Sequence, residues 1–371
     1  MGEFRTMKFL LISGIYPPDI GGPAIFIPKL AEFLHNKGHE CEVLTLKNHK
    51  IQKLNQKWKI HYINRTVLPL RIIKTLASLF STKKNVSIYF ANGLIEEVGL
   101  FLFLTGRRGV AKIVGDAVWE RARNTGKTHE NVTEFNSHCG SLLQRIQRII
   151  LVFSLNRFKL VICPSVELRS LVLGWGVRTP TIVIQNGVQI PEDIEFHQKD
   201  IDVVAVSRLV SWKNLDSVIM ACQQIDATLW VVGDGPEKDY LGQIASRKSS
   251  KVIFTGNLDN SKIPKILQRA KIFALYSDYE GLSFALLEAM AHGAVPIVSE
   301  CEGNIAIIAN GINGLTVPLN KPDLLEASIL ALLLDEKKRE HLGVESRRLI
   351  QKNYSLEDRL EDYLTFFKEL V

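Results

Sequence analysis

At 371 residues, with 46% hydrophobic and 23% charged content, the chain is too long for one ordinary core and too apolar for a disordered one. Its net charge of +7 is uneven: residues 1–199 carry 27 Lys and Arg against 15 Asp and Glu, and residues 200–371 carry 19 against 24. The five cysteines (Cys41, Cys139, Cys163, Cys222, Cys301) are odd in number, scattered and without a CxxC, which argues against a disulfide framework or a structural zinc and for a reducing, cytoplasmic compartment.

The opening MGEFRT reads as an expression-vector scar ahead of Met7. Lys8–Gly14 is a continuous apolar run, the signature of a buried parallel strand, and is too short for a secretory signal. The loop YPPDIGGPA (Tyr16–Ala24) follows. Gly21 and Gly22 there would let backbone approach a ligand and present N–H groups to phosphate, although a tight turn explains them equally. The loop lacks GxGxxG, so no dinucleotide fingerprint is present. Ile27–Glu40 has helical spacing at Ile27, Leu30, Ala31 and Leu34, with Gly38 as a stop, and Pro28 leaves the helix start open. Cys41–Leu46 reads as the next strand. Thr66–Phe80, with Arg71 and Lys74 among apolar residues, fits an interfacial helix or an ordinary core-facing one. Val86–Asn92, Ala111–Asp116 and Leu160–Ser165 read as further strands, and Gly99–Gly106 is far short of the ~20 residues that span a bilayer.

The polar stretch Asn186–Asp200 suits a linker, and the pattern then restarts. Ile201–Ser207, Thr228–Asp234, Lys251–Asn257, Lys271–Ser277 and Ala294–Ser299 are strand-like and separated by one helix each. Two such series predict two doubly wound, Rossmann-like α/β domains, residues 7–190 and 200–350. The uncharged run Gly303–Asn320 reads as turns. The amphipathic end, 355–371, presents Leu356, Leu360, Tyr363, Leu364 and Phe367 on one face and must dock on one domain or the other.

Three loops carry candidate chemistry. In YSDYEGLSFALLEAMAHGAVPIVS (Tyr276–Ser299), a strand ends, DYEGLS turns, and a helix starts near Ser283. The free amides of Gly281, Leu282 and Ser283 at the positive end of that helix suit phosphate oxygens. Glu280 and Glu288 are acceptors suited to vicinal diols; alternatively Glu280 caps the helix and Glu288 makes a surface ion pair. In VSRLVSWKN, Arg208 and Lys213 follow a strand and would clamp a diphosphate, unless they are a solvated basic loop.

The motifs YPPDIGGPA, SRLVSWKN, GDGPE, FTGN and EGLSFALLEAMAHGAVPIVS, in that order and with VICPS and VIQNGV between, resemble family 4 of the retaining glycosyltransferases, which have the GT-B fold. The resemblance covers the chain after its first six residues. It implies a donor cleft between an N-terminal acceptor domain and a C-terminal nucleotide-sugar domain. Arg208 and Lys213 would hold the diphosphate, Glu280 the sugar hydroxyls, Glu288 the ribose, and Gly281, Leu282 and Ser283 the phosphate end. Gly256 and Asn257, in FTGNL, would lie near the base, and Gly21 and Gly22 would close on the phosphate. One departure stands out: where many members carry a histidine near the reacting carbon, this chain has Gly115 and Asp116. Asp116 would take that role or serve the acceptor, or be an ordinary loop aspartate; His138 is a weaker candidate.

The implied reaction moves a sugar from a UDP- or GDP-sugar to an acceptor hydroxyl, with retention. No metal or other cofactor is expected, since the donor segment has no DxD-type pair. The acceptor expected is a glycan or lipid-linked molecule of cell-surface polysaccharide synthesis, with the basic first half toward an anionic membrane surface. A sugar-nucleotide epimerase or a phosphorylase would share the architecture, and nothing frames a cofactor lysine for the latter. A nucleic-acid-binding role has only the charge behind it, without an aromatic-interleaved basic stripe.

Overall fold

In the computed structural model the described residues are 6–19, 21–47, 57–82, 85–192, 199–248 and 251–371. Residues 1–5, Ile20 of the glycine loop and residues 193–198 of the linker lie outside them.

Two sheets organise the chain. The first is formed by β1 (Lys8–Ser13), β2 (Glu40–Lys47), β3 (Lys59–Asn64), β4 (Ile88–Asn92), β5 (Gly109–Lys112), β6 (Leu160–Cys163) and β7 (Thr181–Val183). All neighbours are parallel, in the order β3-β2-β1-β4-β5-β6-β7. The second is formed by β8 (Ile201–Val206), β9 (Leu229–Val232), β10 (Val252–Gly256), β11 (Ala270–Leu275), β12 (Val295–Ser299) and β13 (Leu315–Val317), again all parallel, in the order β10-β9-β8-β11-β12-β13. In each sheet the first strand starts a march outward, and the chain then crosses over and builds the other side. That reversal is the topological switch point of doubly wound folds.

Helices joining parallel strands cover both faces, so central strands are largely apolar; β4 and β12 are buried at every position. The expected strands are present, with β5 earlier than predicted, ending at Lys112 and leaving Ile113–Asp116 beyond it. Three strands were not foreseen. β3 is half-exposed, and β7 and β13 have three residues each, β13 inside the run read as turns. The first helix, Gly22–Asn36, starts ahead of its periodic face and contains Pro28.

The chain divides into two compact units, and the division differs from a cut near residue 200. The first comprises Met1–Val118, Cys139–Gln185 and Leu360–Val371; the second comprises Trp119–His138 and Asn186–Arg359. In the first, the final helix (Leu356–Leu370) buries Leu360, Tyr363, Leu364 and Phe367. Its Tyr363 and Phe367 rings pack on Phe26 and on Phe9 and Phe90. Four buried side chains of this size contribute about 1.5–3 kcal/mol each relative to exposure, enough to fix where the C-terminal segment docks. Lys112 lies buried beneath the same cluster, its Nζ 3.6 Å from the Phe26 centroid, and burial pulls its pKa from 10.5 down to about 7.

Candidate active site

In the second sheet the switch point falls between β8 and β11, the register pairing Ile272 with Val203. Loops leaving the carboxyl ends of two such strands diverge, and ligands of open α/β sheets bind in the crevice between them. The loop after β8 carries Arg208 and Lys213, and the loop after β11 carries Glu280. Lys213, in the 3₁₀ turn Ser211–Lys213, donates from Nζ to Glu280 Oε1, and their side chains are only 15% and 9% exposed. Two predicted residues, 67 positions apart, thus form one ion pair at the switch point.

Further contacts fasten the two loops. Asn214, with a left-handed φ of 45°, donates from its amide to the Tyr276 carbonyl (3.1 Å) and to Asp278 Oδ1 (2.6 Å). The Asp278 amide donates to the Trp212 carbonyl (2.8 Å), and Arg123 donates to Asp278 Oδ2 (2.7 Å). Trp119, fully buried, packs its ring 5.5 Å from those of Trp212 and Tyr279. Trp119 and Arg123 come from a segment between β5 and β6, far off in sequence, and motif reading missed both.

Beyond Glu280, the helix Phe284–Ala291 begins as predicted. Ser283 is its N-cap, its hydroxyl accepting from the Leu286 amide (3.3 Å), so the capping role weighed for Glu280 belongs to Ser283. Gly281 and Leu282 are buried, and the Asn186 side-chain amide donates to the Leu282 carbonyl (2.8 Å). Glu288 is half-buried farther along the helix. Burial first, then the nearby Glu280 carboxylate, pushes the Cys301 thiol up to about 11.

Gly303 is a further residue that the sequence reading passed over. A β-carbon there would lie 2.0 Å from the Glu280 carbonyl oxygen, a backbone atom that cannot swing aside. Gly303→Ala should therefore displace Glu280 and lower turnover at least tenfold, measured as kcat with circular dichroism to verify folding. Unchanged kcat would mean the Glu280 loop tolerates displacement.

Arg208 is exposed on the turn after β8. The GDGPE motif braces this turn from β9: β-carbons at Gly233 and Gly235 would fall 1.9 and 2.2 Å from the carbonyl oxygens of Ser207 and Leu209. Leu209 donates to the Asp234 carbonyl (3.0 Å), and Glu237 to that of Leu209 (3.1 Å). Gly256 ends β10, and exposed Asn257 follows it on the same sheet edge. They are three strand spacings from β11, about 14 Å.

In the first unit, Gly21 caps and Gly22 opens the first helix, in the loop after β1, which is one side of that sheet's own switch point. Of the readings open for Asp116, its surroundings favour a structural one. Its side chain is wholly buried; Oδ2 accepts from Arg148 (2.6 Å) and Oδ1 from the Val118 amide (3.0 Å). A carboxylate so enclosed is held as one half of a buried ion pair. His138, partly exposed, pairs with Glu130 at 3.0 Å.

Residues 189–349 match the family of group 1 glycosyl transferases. The chain is 28% identical over 194 residues to an uncharacterized glycosyltransferase of Methanocaldococcus jannaschii, and that match spans about half (49%) of the relative's length. It is 24% identical over 387 residues, 95% of each chain, to the GDP-mannose-dependent monoacylated alpha-(1-6)-phosphatidylinositol monomannoside mannosyltransferase of Corynebacterium glutamicum. Among solved structures, Anabaena HepE in complex with UDP and glucose is similar with a TM-score of 0.78 at 19% identity, over 98% of this chain and 99% of that one. The two parallel α/β sheets and these likenesses identify the fold as GT-B.

Proposed function

We propose that the chain, whose residues 189–349 match the family of group 1 glycosyl transferases, moves a sugar from a nucleotide diphosphate sugar to an acceptor hydroxyl with retention at the anomeric carbon. The observation that carries the reading is the Lys213–Glu280 pair at the switch point of the second sheet. An ammonium has three donors, so Lys213 can hold Glu280 with one and a phosphate oxygen with another. Arg208, exposed on the adjoining turn, supplies a forked second cation. The Glu280 carboxylate keeps acceptor capacity for sugar hydroxyls, and the helix that begins at Phe284 turns its positive end toward the same loop.

As the bond to the leaving diphosphate breaks, charge grows on its oxygens. Lys213, Arg208 and the first-turn amides stabilise that charge from fixed positions, which is where such sites gain most of their rate. Two fixed cations make a metal ion unnecessary in this scheme, so chelator should leave turnover unchanged. Glu288 is assigned to the ribose, and Gly256 and Asn257 to the base. HepE was crystallised with UDP and glucose, and the corynebacterial relative uses GDP-mannose and a phosphatidylinositol glycoside. Those names support a UDP- or GDP-sugar donor and a lipid-linked or glycan acceptor.

The test is a thermal-shift panel of UDP- and GDP-sugars. A ligand at about 100 times its Kd stabilises the folded state by about 2.7 kcal/mol, and sugars on one base should raise the melting midpoint while those on the other do not. If no nucleotide sugar moves the midpoint, the donor assignment fails. If one binds but is isomerised rather than transferred when acceptors are supplied, the chain is an epimerase instead.

A further inference from the structure

We propose that one helical face of the first unit, centred on Leu142–Leu155, docks onto an anionic lipid surface. This helix carries large apolar side chains on its outward as well as its inward side. A surface helix normally turns its apolar stripe inward and its polar side to water. Here the inward side mixes Leu151 and Leu155 with Gln144, Arg148 and Ser154, all buried, with Arg148 neutralised by Asp116. The outward side carries Leu142, Leu143, Ile146, Ile149, Ile150 and Phe153, exposed by between 41% and 74%. Such a run of large apolar side chains in water marks an interaction surface.

The patch continues onto the neighbouring helix, Ile95–Thr105. Phe153 packs edge-on against Phe103 at 5.6 Å, and Phe103 and Leu104 are themselves more than half exposed. A third helix, Leu68–Ser81, packs along the same layer through Phe80 on Phe101 (5.2 Å) and exposes Leu68 and Ile73. The periodicity of Thr66–Phe80 pointed to this third helix alone, whereas the larger exposed face belongs to Leu142–Leu155.

Charge selects the occupant. From Cys139 to Lys159 the chain has no acidic residue. Arg145, Arg157 and Lys159 are exposed around the apolar face, and the Arg157 guanidinium lies over the Phe103 and Phe153 rings at 4.8 and 4.4 Å. Apolar side chains entering the acyl boundary beneath cations at the headgroup level are how an interfacial helix binds. Two copies of this face would bring like-charged rims together, which disfavours self-association. Among the described residues no helix is long and apolar enough to cross a membrane, so the helix would lie on the surface.

The full chain should float with vesicles of phosphatidylcholine mixed with phosphatidylglycerol, far less with phosphatidylcholine alone, and lose binding at high salt. Each exposed cation removed (Arg145→Ala, Lys159→Ala) should weaken partitioning about fivefold. Ile146→Gln with Ile149→Gln should weaken it at least tenfold with an unchanged melting midpoint, since neither side chain is in the core. Binding that ignores phosphatidylglycerol, or survives both sets of substitutions, overturns the proposal. So does absence of vesicle binding together with a concentration-dependent dimer that Ile146→Gln and Ile149→Gln dissociate; that result assigns the face to a second copy.

Discussion

Lys213→Ala is expected to lower kcat/KM by two to three orders of magnitude while the chain stays folded. Removing one preorganised donor from a site of charge development costs about 2.7–4 kcal/mol in other enzymes. The loss here has a second component. Glu280 is 9% exposed at its side chain, so without Lys213 a nearly buried carboxylate has lost its ion-pair partner and its fixed position. A double-mutant cycle separates the two. If Lys213 served only to hold Glu280, the pair Lys213→Ala and Glu280→Ala would be no worse than Glu280→Ala alone. If Lys213 also grips the diphosphate, the double variant falls further, and Lys213→Ala raises the Kd for the bare nucleoside diphosphate, which has no sugar for Glu280 to hold. Full turnover in Lys213→Ala would remove the assignment altogether.

How far the sequence reaches depends on the range of the interactions. Parallel strands covered on both faces are unbroken apolar runs, so β1, β4, β8, β11 and β12 were visible without coordinates, and with them two doubly wound domains. β3, β7 and β13 were not: a half-exposed strand or one of three residues has too few positions to show a period. The placement of Arg208, Lys213 and Glu280 on loops that follow strands was legible, because the strands before them are apolar runs and the loops carry motifs of known kind. What supports them was not. Arg123 reaches Asp278 across 155 positions and Asn186 reaches Leu282 across 96, and no local pattern encodes either contact. Gly303 looked like any loop glycine, since only the folded chain brings the Glu280 carbonyl against it. The docking of the final helix likewise turned on partners, Phe9, Phe26 and Phe90, scattered through the first hundred residues.

The role of Asp116 stayed open in the sequence for the same reason, and the second large effect follows from it. An aspartate after a strand looks alike in sequence whether it faces ligand or core; here its partner is Arg148, 32 residues on, with a side chain 8% exposed. Asp116→Asn preserves an oxygen for the Val118 amide but leaves the Arg148 guanidinium, stacked 4.1 Å from the Trp175 ring, without its countercharge. Stranding one member of a buried pair typically costs about 3–5 kcal/mol, so Asp116→Asn should lower the stability of the first unit by about 3 kcal/mol, read by urea unfolding followed through tryptophan fluorescence. Arg148→Met should cost a similar amount, and the double variant less than the sum, because neither then leaves a charge behind. At a temperature where Asp116→Asn remains folded, kcat/KM should stay within a few-fold of the parent. A hundredfold loss of kcat/KM with stability intact would return Asp116 to the reacting centre and overturn its assignment as half of a buried ion pair.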